Sequence, residues 1–144
     1  MDELSDRHLR WEPLPNLPEH PFGTLDLAFN DLELVATATY GVEPPVRGLR
    51  IAFGDVEAFK VYEEFSDPWM EMKPSQPMVN NPKLNPWVWP LQEIENSRWL
   101  ARVIDRNGGA MGTFTWRHLI VVTLTVTLHV MTRDEPEVEL ICTP

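Results

Sequence analysis

The side chains of this sequence that could do chemistry fall into two groups. The first is a run of carboxylates: Glu57, Glu63, Glu64, Asp67 and Glu71. Two carboxyl groups at a fixed separation can hydrolyse a glycosidic bond. The second is a set of tryptophans, Trp69, Trp87 and Trp89, inside a proline-rich segment. Tryptophan is enriched at the energetic centres of interfaces, and loops carry function more often than scaffold does. Each group also has a plainer reading. A chain with 22 acidic residues supplies close carboxylates by chance, and such residues then line a solvated face. The tryptophans either form a contact surface or fold inward over a core that the sheet leaves open.

Other chemistries find little support. The four histidines, His8, His20, His118 and His129, have no zinc-binding spacing. His8 and His20 fall in an irregular arm and are expected in solvent. His118 and His129 flank strand sequence and are expected as a surface or half-buried pair, because two histidines without a third fixed ligand make a weak metal site. Ser66, Ser75 and Ser97 have no histidine beside them in sequence that would activate them. There is no G-x-S-x-G, no phosphate-binding loop and no dinucleotide fingerprint. Cys142, the one cysteine, lacks adjacent cations that would lower its pKa and reads as an inert thiol. No catalytic residue, metal or cofactor is assigned.

The bulk properties narrow the field further. A chain of 144 residues fits one domain, and a 43% hydrophobic content is enough for one packed core. A single cysteine excludes an internal disulfide and fits a reducing, cytoplasmic compartment. Met1 to Arg10 lacks the apolar run of a signal peptide, and Leu119 to Met131 is interrupted by polar residues, so no membrane span is expected. The net charge of -10, with the twelve basic residues dispersed, disfavours nucleic acid. It keeps the chain soluble, and it complements a basic partner protein.

The elements follow from hydrophobic period. Residues 1–22 carry Pro13, Pro15, Pro18 and Pro21 and read as an irregular arm, pinned by Trp11, Leu14, Leu17 and Phe22. From Thr24 to Tyr40, two alternating runs surround a short polar turn and predict a β-hairpin. Leu49 to Tyr62, with Gly54-Asp55 at its centre, predicts a second hairpin. Residues 65–90, rich in proline and tryptophan, predict a long loop. Leu91 to Asn107 carries the helix signal, with Asn96 or Ser97 as cap and Gly108-Gly109 as stop. Ile120 to Val130 predicts one long strand, or two with a bend near Thr123 to Thr127. Ile120, Val122, Leu124, Val126, Leu128 and Val130 are expected to share one face. Glu137 to Cys142 closes a C-terminal hairpin. The sum is a mainly β (α+β) fold: an antiparallel sheet, curled or doubled, with one helix packed against it.

Three stretches, Leu49 to Glu64, Trp89 to Leu100 and Arg117 to Thr123, together resemble a group of small uncharacterised bacterial proteins, some near toxin–immunity loci. The resemblance covers about half the chain by order of segments, and it departs where Leu119 follows His118 in place of an aromatic. It implies an immunity-like interaction role and supplies no active site. The leading expectation is therefore a non-enzymatic protein-interaction domain. The rival is a small enzyme or carbohydrate-binding module using Trp87, Trp89 and the Glu63/Glu64 region. A third expectation is self-association through edge strands.

Overall fold

Alternating apolar and polar residues build most of this chain into strands, because successive strand side chains point to opposite faces of a sheet. The computed structural model describes residues 6–41, 46–63, 76–84, 87–106 and 114–142. In chain order these hold β1 (Arg7–Arg10), β2 (Phe22–Asn30), β3 (Glu33–Tyr40), β4 (Val46–Phe53), β5 (Val56–Glu63), β6 (Leu91–Glu95), α1 (Arg98–Arg106), β7 (Arg117–Val122), β8 (Val126–Thr132) and β9 (Glu137–Cys142). The strands form two antiparallel sheets. One has the order β1-β6-β7-β8-β5 and the other β2-β3-β4-β9. The expected mainly β fold with a doubled antiparallel sheet is what forms, with one α-helix among the described residues.

The main core lies between the sheets. Leu34, Ala36, Leu49, Ile51 and Phe53 face it from the four-stranded sheet, and Leu91, Leu119, Val121, Leu128 and Val130 from the five-stranded one. Each such side chain, fully buried, contributes roughly 1.5–3 kcal/mol of transfer free energy. The outer face of the five-stranded sheet is covered by α1, where Trp99 and Leu100 pack on Met131, Ala58 and Tyr62. The helix is capped at Ser97, one of the two expected cap residues. Ser97 Oγ accepts the Leu100 N–H at 3.1 Å, and Asp6 accepts the Arg98 N–H at 2.8 Å. Two of the orphan donors at the helix start are thereby satisfied.

The first hairpin is present as expected. Asp31 and Leu32 both have positive φ, 47° and 69°, as a two-residue type I′ turn requires. The second is not. Gly54-Asp55 carries the chain from one sheet to the other, since β4 pairs with β3 and β9 while β5 pairs with β8. The C-terminal hairpin is likewise absent, because Arg133 to Pro136 returns the chain from β8 to β9 in the opposite sheet. The two crossings sit side by side. Thr132 Oγ1 donates to Gly54 O at 2.6 Å, and Arg133 pairs with Asp55 at 3.3 Å.

Three further corrections concern element type or facing. Leu91–Glu95 is strand rather than the start of the helix, which begins only at Arg98. The N-terminal arm contains β1, an edge strand that ends before the first proline. Of the two expected forms, Ile120 to Val130 takes that of two strands, with a turn at Thr123, whose Oγ1 donates to Val126 O and accepts the Val126 N–H; the expected facing is what changes. The turn reverses the facing, so Leu119 and Val121, not Ile120 and Val122, share the inner face with Leu128 and Val130.

Candidate functional site

The two sheets do not close on each other along one side. There β2 ends the four-stranded sheet and β5 ends the five-stranded sheet. On β2, Leu25, Leu27 and Phe29 lie opposite the buried Ala38, Ala36 and Leu34 of β3, so they belong to the inward-facing row. On β5, Phe59 and Val61 lie opposite the buried Val130 and Leu128 of β8, so they too face inward. Yet Leu27 is 37% exposed, Phe29 51%, Phe59 36% and Val61 42%. Residues patterned for a core are thus left open to water in a cleft between two sheet edges. The cleft narrows where Phe29 and Phe59 meet, with ring centroids 5.0 Å apart.

The carboxylates flank this apolar strip. Along β5 the inward row reads Phe59, Val61, Glu63, while Glu57 is the unpaired residue of a bulge between Val56 and Ala58; both glutamates are exposed. The two carboxylates thus stand near opposite ends of β5. Near the Glu57 end is a hollow of about 260 Å³ lined by Leu32, Glu57, Phe114, Trp116 and Arg133, among others. The Arg133 guanidinium lies over the Phe114 ring at 4.4 Å, so its charge is held there by an aromatic face as well as by Asp55. Beside it, Asp134 hydrogen-bonds Asp55, and sharing that proton raises the Asp134 pKa.

The tryptophans divide. Trp89 is 1% exposed and belongs to the main core. Its Nε1–H donates to Trp11 O at 3.0 Å, and the Arg10 guanidinium lies 3.5 Å over its ring. A buried indole with a satisfied N–H is a core residue, so the expected contact surface does not include it. Trp87 is 42% exposed. The two belong to a short ladder, in which Val79 N–H donates to Trp87 O and Trp89 N–H to Pro77 O. Part of the expected loop is therefore ordered structure. It docks beside β1, where the Asn80 N–H and the Arg10 guanidinium both reach Glu19. Glu57 and Glu63 are on β5, at the opposite edge of the same sheet. The expected grouping of Trp87 and Trp89 with these glutamates does not form. Trp69 and Glu64 lie outside the described residues.

A second constellation was not legible in the sequence. His118 and His129 are both fully buried on the outer face of the five-stranded sheet, not half exposed. His118 Nε2 is 2.8 Å from His129 Nδ1, and His118 Nδ1 is 2.7 Å from Ser97 Oγ. His8, expected in solvent, is also buried and bonds Gln92 Oε1 at 2.8 Å. Ser97 Oγ accepts the Leu100 N–H and keeps both a proton and a second lone pair, so it can serve His118 Nδ1 in either tautomer. Through the Nε2–Nδ1 contact the tautomer of one ring sets that of the other. Burial pushes the His118 pKa well below its ordinary value, helped by His129, Lys60 and His8. The order serine–histidine–acceptor is that of a nucleophilic relay. Here the third group is a histidine, which does not stabilise an imidazolium as a carboxylate does. Ser97 is itself buried and engaged as a helix cap. The chain ties α1 to β7 and β8.

Among the described residues, no group of three or more His, Cys, Asp or Glu side chains is arranged to hold a metal ion. No described helix is long and apolar enough to cross a membrane. The fold and the cleft together define a two-sheet antiparallel β-sandwich with one open side. No family model, curated protein or solved structure matches this chain.

Proposed function

We propose that this chain is a non-enzymatic protein-interaction domain that works through the open side of its sandwich. The observation that carries this reading is the exposure of Leu27, Phe29, Phe59 and Val61, all of which face inward on edge strands. A contiguous apolar surface rimmed by charge is what contact sites look like. The net charge of -10 and the flanking Glu57 and Glu63 support a basic partner. An immunity-like role, in which the domain covers a basic toxin, agrees with that chemistry and with the resemblance of the chain's segment order.

The test places a photo-crosslinking amino acid at position 59 or at position 87 and irradiates cells of the native host. Position 59 should give one discrete adduct, weakened by salt and lost in Phe29→Glu. An adduct at position 87 with none at 59 would move the contact surface to the tryptophan ladder and overturn this reading.

A further inference from the structure

The described strands present four sheet edges: β1, β5, β2 and β9. An exposed edge invites pairing with another chain, and proteins blunt it by shortness, several charged side chains or proline. Three of the four are blunted. β1 has only four residues. β5 carries Lys60, a bulge at Glu57, and Glu63 in its inward row. β9 carries Glu137 and Glu139. β2 is different. It runs nine residues, Phe-Gly-Thr-Leu-Asp-Leu-Ala-Phe-Asn, without lysine or proline, and its one charge, Asp26, lies on the outward row. The bulge near Phe22 and Thr24 is at its start and leaves the rest regular.

The free hydrogen-bonding groups of β2 can be assigned. In a two-residue hairpin the residues flanking the turn, here Asn30 and Glu33, exchange both backbone bonds. Bonding then alternates, so Ala28 and Asp26 also face β3. Leu25, Leu27 and Phe29 direct their N–H and C=O groups to the open side. The same residues carry the uncovered apolar row. One edge therefore offers backbone pairing and side-chain contact together.

We propose that β2 accepts an extended segment of a basic partner as a fifth strand of its sheet. This rests on the reading of the open side as the contact surface. The segment lies between β2 and β5 with apolar residues at alternate positions, beside Leu27 and Phe29 on one wall and Phe59 and Val61 on the other. Lysine or arginine flanks that apolar centre and meets Glu57 and Glu63. Charge complementarity favours this occupant over a second copy. Pairing two copies here would bring together two chains of net charge -10, and with them both pairs of glutamates.

The probes are nine-residue peptides in which valine and phenylalanine alternate with threonine. One version is flanked by lysine and the other by glutamate. The lysine peptide should bind the intact protein at least about tenfold more tightly, a difference fluorescence anisotropy resolves. Glu57→Lys with Glu63→Lys should erase or reverse that preference. Leu27→Pro, which removes an N–H facing the open side, should abolish binding. Leu27→Thr, which keeps it, should weaken binding less, and thermal melts would confirm that both variants fold. Equal binding of the two peptides, equal loss in the two Leu27 variants, or a stable dimer by sedimentation that excludes peptide would each overturn the proposal. A crosslinked partner at position 59 alongside such a failure leaves the interaction reading standing and removes only the strand addition. Failure of both removes the reading as well.

Discussion

Phe29 of β2 and Phe59 of β5 stack at a 52° interplanar angle across the open side, joining two strands that share no backbone pairing. Aromatic pairs of this kind contribute about 0.5–1.5 kcal/mol beyond their burial. Both rings remain partly exposed. Each alanine substitution should therefore cost about 1–2 kcal/mol, below the roughly 3–5 kcal/mol of a buried aromatic. A double-mutant cycle by urea unfolding should find a coupling near 1 kcal/mol. A coupling near zero would mean that the contact does not hold the edges together, and that the cleft is wider in solution.

The tryptophan ladder predicts a divided outcome. Trp89→Ala should cost about 3–5 kcal/mol, since it empties a core site and leaves the Trp11 carbonyl without its donor. Trp87→Ala should cost under about 1 kcal/mol, as exposed positions do. Thermal melts of the two variants decide this. Similar losses in both would contradict the division of the pair between core and surface.

Strand alternation was legible in the sequence, and strand partners were not. Gly54-Asp55 between two alternating runs has the local chemistry of a hairpin turn, and nothing within those residues distinguishes a hairpin from a crossing between sheets. The distinction comes from long-range bonds, such as Val56 N–H to Leu32 O and Thr132 Oγ1 to Gly54 O. The same limit hid the reversal of facing at Thr123, where one side-chain oxygen closes a turn inside an unbroken apolar pattern. Ser97 was legible as a helix cap because capping is local. Its bond to His118, 21 residues away, was not. The glutamates of β5 were legible as candidates, but the cleft they flank depends on which strands end the sheets.

The Ser97 hydroxyl serves two masters, the Leu100 N–H and the His118 ring. Ser97→Ala removes an N-cap and takes the Ser97 hydroxyl from a buried ring nitrogen. The expected loss is about 1–3 kcal/mol, the range of a cap together with an unsatisfied buried group. Ser97→Asp should not rescue it. The carboxylate still caps the helix, but its charge favours a protonated ring in a buried site. Far-UV circular dichroism and urea melts measure both. Full stability in Ser97→Asp would show that the histidine bond carries nothing.

The buried histidine pair makes stability depend on pH in a defined direction. Burial, with His129, Lys60 and His8 adding to it, keeps folded His118 neutral well below its ordinary pKa of 6.5. In the unfolded chain the same ring takes up a proton near that value. Above it, both states are neutral and His118 contributes no pH dependence. As pH falls below it, the unfolded state binds a proton that the folded state refuses, so stability declines toward the folded pKa. One such group supplies a slope of up to about 1.4 kcal/mol per pH unit. The window to examine runs from about pH 6.5 to about pH 5, above the range where exposed carboxylates titrate. Urea melts across that window should show a steady loss in the natural chain. His118→Gln should be less stable than the natural chain at about pH 8 but should lose less on acidification, because the refusing group is gone. In parallel, the His118 ring resonances should stay in their neutral positions down to about pH 6, where an ordinary histidine is already more than half charged. A flat stability profile in the natural chain, or a His118 resonance that titrates near 6.5, would show the ring to be reached by water. The seal of α1 over β7 and β8 would then be looser than its packing implies.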